Sequence, residues 1–297
     1  MRSAYAGRAR SEPIEGLCRG FMKIIQLADK QRYPRMTTSE LRETFLIADL
    51  FHPGEINAAY VDLDRTILGS AVPLAEPLKL GADPELRASY FTERRELGVL
   101  NIGGEGAVRV NDREFPLGNL DCLYVGRGNE NVSFVSKSAS QPAEFYLLSY
   151  PAHAVHPTSY VESSKVAPVL LGAPETCNQR AITKLIHLDG VKSCQLVMGF
   201  TQLASGSDWN TMPPHTHMRR SEVYLYFNLQ PEDRVLHLMG PADEIRVIVI
   251  KNKQAVISPG WSVHAGVGTR NYTFCWGMGG ENQVYTDMDA LKISDLI

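Results

Sequence analysis

Four side chains are spaced so that they could do chemistry together. In Pro214-His215-Thr216-His217-Met218-Arg219-Arg220-Ser221-Glu222, two histidines separated by one residue are followed, after four more, by a glutamate. In Pro259-Gly260-Trp261-Ser262-Val263-His264, a further histidine follows a Pro-Gly turn signal. Alternate side chains of an extended strand share a face, so His215 and His217 point the same way, about 6.5–7 Å apart along the chain. Two imidazoles on one face are a natural pair of ligands for a divalent metal. Strict alternation turns Glu222 to the other face, so it joins them only if the chain turns or bulges within residues 218–221. With His264 the set becomes three imidazoles and one carboxylate, a donor set that does not choose between zinc and iron. It leaves a divalent ion with residual positive charge, attractive to an anionic substrate. Four protein ligands close a tetrahedral zinc site, so catalysis requires a further position open to substrate oxygens.

The elements that must bring these residues together read as strands. After residue 50 the text has period two, as in Ala59-Tyr60-Val61-Asp62-Leu63-Asp64 and Asp121-Cys122-Leu123-Tyr124-Val125, with Gly and Asn at the turns. Strands are expected over 195–200, 222–227, 235–239, 245–250, 255–257 and 272–277. Helical signals are two: a capping box at Thr37 and Glu40 that opens a short helix to about Leu46, and a weaker periodicity over 287–295. The reading is an all-β chain with a short N-terminal helix. Pro and Ser interrupt the alternation over 156–176, which reads as a linker between residues 22–155 and 177–297. The two halves resemble each other. With Glu96 set on Glu222, Ser89 and Phe91 fall where His215 and His217 stand, and Asn131 falls where His264 stands. The first half thus keeps the acid and lacks the imidazoles, as in a duplicated barrel with one metal site.

Composition narrows the classes. The chain has 297 residues, 44% of them hydrophobic, and a formal charge of −3. That suits a globular protein with a full core and no basic footprint for nucleic acid. Five widely spaced cysteines without a Cys-x-x-Cys suit reduced thiols in a cytoplasm. No apolar run is long enough to span a bilayer. Residues 1–21 are basic and lack the apolar core of a secretory signal, so they read as a disordered or artefactual extension.

The two motifs resemble those of the cupin superfamily, double-sheet jelly-roll barrels: His-x-His with Glu after four residues, then Pro and His at the second motif's spacing. Glycine stands one place early, at Gly260, with Trp261 in its usual position. The chain is more closely similar to one bicupin family, the 5-dehydro-4-deoxy-D-glucuronate isomerases (4-deoxy-L-threo-5-hexosulose-uronate ketol-isomerases). The likeness is carried by Tyr90-Phe91-Thr92-Glu93-Arg94-Arg95-Glu96-Leu97-Gly98, Trp209-Asn210-Thr211-Met212-Pro213-Pro214-His215, Gly266-Val267-Gly268-Thr269-Arg270-Asn271-Tyr272 and Gly280-Glu281-Asn282-Gln283-Val284-Tyr285. It runs from about residue 22 to the C-terminus. The resemblance implies two cupin barrels, one zinc per subunit on His215, His217, Glu222 and His264, a homohexamer, and aldose–ketose isomerisation of a keto-deoxyuronate in the breakdown of pectin and related uronates.

The general base is not written in the sequence. Lys184 and Tyr285 are candidates, as are the polar groups near Trp209, Asn210 and Thr211. Arg219 and Arg220 are candidates for gripping the substrate carboxylate, and Trp209 for a substrate contact. His52, His153, His156, His187 and His237 lack ligand-spaced partners and are assigned to packing or surface. Three alternatives stay open: a 5-deoxyglucuronate isomerase of inositol breakdown, an iron-dependent cupin dioxygenase, and a sugar-binding module with a structural metal.

Overall fold

The computed structural model describes residues 22–297, so the N-terminal extension lies outside the described residues. Strands dominate, in two seven-stranded and two four-stranded sheets and a two-stranded ribbon. The first seven-stranded sheet runs Met22–Ile25, Ile56–Val61, Ile67–Ala71, Phe145–Pro151, Arg95–Asn101, Cys122–Val125, Ser159–Val161. The second runs Val169–Leu171, Arg180–Ile186, Val197–Leu203, Thr273–Gly280, Arg220–Phe227, Gln254–Ser258, Leu46–Ile47. Each has a four-stranded partner, Leu78–Lys79, Val132–Ser136, Gly106–Val110, Arg113–Leu117 for the first and Trp209–Asn210, Val263–Gly268, Val235–Gly240, Arg246–Ile250 for the second. The strand orders of the small sheets and of the five inner strands of the large sheets correspond, while the edge strands differ: Met22–Ile25 pairs parallel and Val169–Leu171 antiparallel, and Leu46–Ile47, from the N-terminal segment, closes the second sheet.

Three cores explain the layering. One joins Leu97, Val99 and Leu147 of the first large sheet to Val108, Phe115 and Phe134 of its small partner. A second joins Tyr224, Phe274 and Trp276 to Val235, Met239 and Ile248 in the same way. The third lies between the two large sheets, where Leu68, Leu100 and Leu148 meet Met198, Val223 and Cys275. The chain is therefore a four-layer stack with its large sheets back to back. Central strands such as Arg220–Phe227 are buried at every residue because both faces are covered. The approach is close: a Cβ on Gly277 would lie 2.0 Å from Leu148 Cδ2.

The helix forms where its capping box predicts, over Thr38–Phe45, with Thr37 N–H donating to Glu40 Oε2 (2.7 Å) and Glu40 N–H to Thr37 Oγ1 (3.2 Å). Its destination differs from the sequence reading. Leu41 and Phe45, with Tyr33 and Met36, join the second half's core, and Leu46–Ile47 pairs with Val256 and Ala255 at the edge of the second sheet. An amphipathic pattern states that a face is buried and not against what. The stretch read as a linker is likewise not structureless. Ser159–Val161 extends the first sheet and Val169–Leu171 the second. Over 287–295 no helix forms: Asp289–Ala290 pairs with Thr216 and His215, and a single 3-10 turn follows at Ile293–Asp295. A helix that short does not hold itself, and ladder pairing replaces it.

Candidate metal centre

The first motif does not continue as one strand. Only His215–Thr216 is extended. Met218 and Arg219 then form a turn, closed by Arg220 N–H donating to His217 O (3.1 Å), and Arg220–Phe227 departs along the second sheet. That turn brings Glu222 to the face of the two imidazoles. The second motif also turns, with Ser262 N–H donating to Pro259 O (2.8 Å), and His264 enters the sheet as the second residue of Val263–Gly268. The two turns are fastened together, since His217 N–H donates to Gly260 O (3.2 Å). A Cβ at residue 260 would lie 2.6 Å from the His217 carbonyl oxygen, which accounts for glycine standing there, one place early in the motif.

Four donor atoms converge. His215 Nε2 lies 3.0 Å from His217 Nε2 and 3.1 Å from His264 Nε2, and Glu222 Oε2 lies 3.0 Å from His217 Nε2 and 2.9 Å from His264 Nε2. All four lie within 4.8 Å of one another. Tautomers follow from the far side of each ring. His217 Nδ1 is 2.7 Å from Asp287 O, and His264 Nδ1 is 3.3 Å from Ser262 O, so each Nδ1 carries a proton and donates it. Both Nε2 atoms then present lone pairs to the same point as a carboxylate, an arrangement that repels unless a cation sits there. Donor separations of about 3 Å are short enough for one ion to be reached by all four side chains, so His215, His217, Glu222 and His264 would hold a divalent cation here.

Glu222 is ionised: burial raises its pKa, but positive charge on the His264 and His217 rings, in the place a bound cation would take, outweighs that and holds it well below the usual carboxylate range. Burial, then His264, push His215 down to about 2, so it is neutral and able to ligate.

A cavity of about 220 Å³ opens on this cluster, lined by His215, His217 and Glu222 together with Arg180, Tyr224 and Tyr285 and an apolar wall of Ile182, Phe274, Trp276 and Met278. Tyr285 reaches it as the sequence reading allowed. Burial, then Glu222, raise the Tyr285 hydroxyl to about 12, so it stays protonated. Lys184 lies behind it, with Nζ 4.1 Å from the centroid of the Tyr285 ring. Thr211 lines the cavity and hydrogen-bonds Tyr224 through its hydroxyl (2.9 Å). Asn210 is buried below, donating to the Tyr272 hydroxyl (2.8 Å).

Other candidates sit elsewhere. Arg219 pairs with Asp287 (2.6 Å) and Asp289 (3.1 Å), and Arg220 donates to the carbonyls of Val284, Tyr285 and Asp287. Both arginines fasten the C-terminal segment, whose Asp287 carbonyl orients His217, and neither lines the cavity. Trp209 pairs across to Val267 and also stays outside. His237 is buried against the Tyr226 hydroxyl (2.7 Å), in keeping with packing. Arg180 and Tyr224 are lining residues the sequence reading missed. The signal was present for Arg180, since alternation puts it on one strand face with Ile182 and Lys184.

Of the first-half residues set against the three histidines, Phe91 is buried in the first core, whereas Ser89 and Asn131 are exposed, so no matching cluster forms there among the described residues. Glu96 accepts instead from the backbone N–H groups of Cys194, Gln195 and Leu196 and from the Tyr124 hydroxyl, tying one half to the other.

Paired jelly-roll barrels with, among the described residues, one imidazole–carboxylate cluster define a bicupin. The chain belongs to the KduI/IolB family, whose model matches residues 50–293. It is 50% identical over 262 residues to the 4-deoxy-L-threo-5-hexosulose-uronate ketol-isomerase of Halalkalibacterium halodurans, covering 88% of this chain and 95% of that one. It is 49% identical over 276 residues to the ketol-isomerase of the same name from Opitutus terrae, covering 93% and 100%. Among solved structures, an IolB-like protein from Salmonella typhimurium superposes with a TM-score of 0.68 at 15% identity over 84% of this chain and 97% of that one, a likeness of fold. The chain is thus an enzyme, an intramolecular oxidoreductase of the aldose–ketose isomerase type.

Proposed function

We propose that this enzyme converts 5-dehydro-4-deoxy-D-glucuronate to 3-deoxy-D-glycero-2,5-hexodiulosonate in pectin and uronate catabolism. The reaction moves a carbonyl from C1 to C2 and takes place beside a divalent metal, zinc in the first instance, held by His215, His217, Glu222 and His264. The observation that carries the reading is the convergence of these four donors on a cavity in a ketol-isomerase chain. When bound, the ion supplies a Lewis acid that polarises the carbonyl and stabilises the enediolate charge. The chain's own groups do the rest. The apolar wall of Ile182, Phe274, Trp276 and Met278 keeps water from the reacting carbons. Tyr285, protonated at neutral pH, donates a hydrogen bond to a substrate oxygen. Tyr285 is thereby the candidate acid toward a substrate oxygen, and Lys184, behind its ring, the candidate for carrying the proton removed at C2 and returned at C1. The cavity is smaller than the roughly 300–1,000 Å³ of drug-sized sites, which favours a monosaccharide over an oligomer. We place the enzyme in the cytoplasm as a homohexamer, a state that light scattering in solution tests.

The experiment follows the carbonyl shift by NMR with the unsaturated-uronate breakdown product, with and without chelator. Conversion that stops on chelation and resumes with zinc is the expected result. Unchanged substrate with metal-replete protein sinks the reading. Running 5-deoxyglucuronate in parallel tests the inositol-pathway alternative, and metal analysis with an oxygen electrode tests the iron dioxygenase.

A further inference from the structure

Among the described residues, the cavity is lined by one permanent cation, and no carboxylate pairs with it. Arg180, half-buried at the start of Arg180–Ile186, lines the cavity together with His215, His217 and Glu222. Nη1 donates to Asn178 O (2.8 Å); among the described residues Nε and Nη2 have no hydrogen-bond partner, and no carboxylate pairs with the guanidinium. Its anchor is rigid. Asn178 accepts from Ala173 N–H (3.0 Å) and donates to Met212 O (3.2 Å), so the loop holding Arg180 is fixed to the loop before His215. Burial draws the Arg180 pKa below its ordinary value, the expected effect of removing a cation from water without an anion to offset it. An entering carboxylate would offset that cost, and a guanidinium fork suits its two oxygens. Arg219 and Arg220 are committed to Asp287, Asp289 and backbone carbonyls, so neither competes for the role.

We propose that Arg180 receives the carboxylate of the substrate and makes the cavity selective for sugar acids over neutral sugars. The proposal rests on the ketol-isomerase reading of this site, and the test separates the two. Steady-state rates are measured for the keto-deoxyuronate and its neutral methyl ester with metal-loaded wild type, Arg180→Met and Arg180→Lys. Calorimetry measures binding of the acid to the metal-free proteins. Loss of charge-assisted hydrogen bonds predicts a fall of roughly ten- to a hundredfold in kcat/KM for the acid in Arg180→Met, mostly through KM. The ester should be nearly unaffected, metal content unchanged, and Arg180→Lys intermediate. An equal loss for acid and ester, or no loss for either, overturns the proposal. If wild type turns over neither compound, the isomerase reading falls. Calorimetry then decides for Arg180: equal acid affinity in wild type and Arg180→Met overturns it, and weakened affinity in both variants supports it.

Discussion

At the scale of residues, the centre depends on lone pairs that backbone carbonyls hold in place. His217 and His264 cannot swing to another tautomer without abandoning Asp287 O and Ser262 O. Replacing His264 with Ala should therefore abolish metal retention while near-UV circular dichroism stays native; undiminished metal by elemental analysis would refute its place among the ligands. Asp287 tests the supporting layer. Its carboxylate pairs with Arg219 and accepts from Asn282, while its carbonyl orients His217. Asp287→Asn should weaken metal affinity by roughly ten- to a hundredfold, as loss of such supporting contacts does elsewhere, measured by competition with a chromophoric chelator.

The helix is the element most exposed to test. It is a two-turn piece that could not persist alone, and it is held by its apolar face. Phe45 packs edge-on to Trp261 and Tyr33, under the turn that carries the second motif. Phe45→Ala should cost about 3–5 kcal/mol in denaturant unfolding. Thr37→Ala, which removes only the cap, should cost about 1 kcal/mol. A similar loss in both would mean that the helix does not seal the second core. The contact also gives Trp261 a packing role: half-buried against the second core, it braces the turn after Pro259.

For the whole molecule, back-to-back sheets couple the halves. Gly277→Ala drives a methyl into Leu148 across the interface, so a loss of about 1–3 kcal/mol is expected in a single cooperative transition. Two separate transitions would contradict the shared core. Acid stability should report the buried His237. Burial, then His264, depress its pKa to about 3, against about 6.5 in the unfolded chain, and Glu222 opposes them weakly. The unfolded state then binds more protons throughout that interval, so its contribution is complete above pH 6.5 and is lost as pH falls toward 3. The Tm of metal-free His237→Phe should fall less steeply than wild type between pH 6.5 and 4; parallel slopes would count against this.

Residue types and spacing alone decided much. Period-two text required a β fold, the capping box placed one helix, and two short motifs named four candidate donors by residue type and spacing, although a turn at Met218 and Arg219, and not strand alternation, brings Glu222 to the imidazoles. Register between distant segments was another matter. That the N-terminal helix seals the second half, that Arg219 and Arg220 fasten a C-terminal ribbon, and that Arg180 stands unpaired in the cavity depend on which surfaces meet. Local pattern fixes the face an element buries, and only the packed chain decides the surface that covers it and the charges left without a partner.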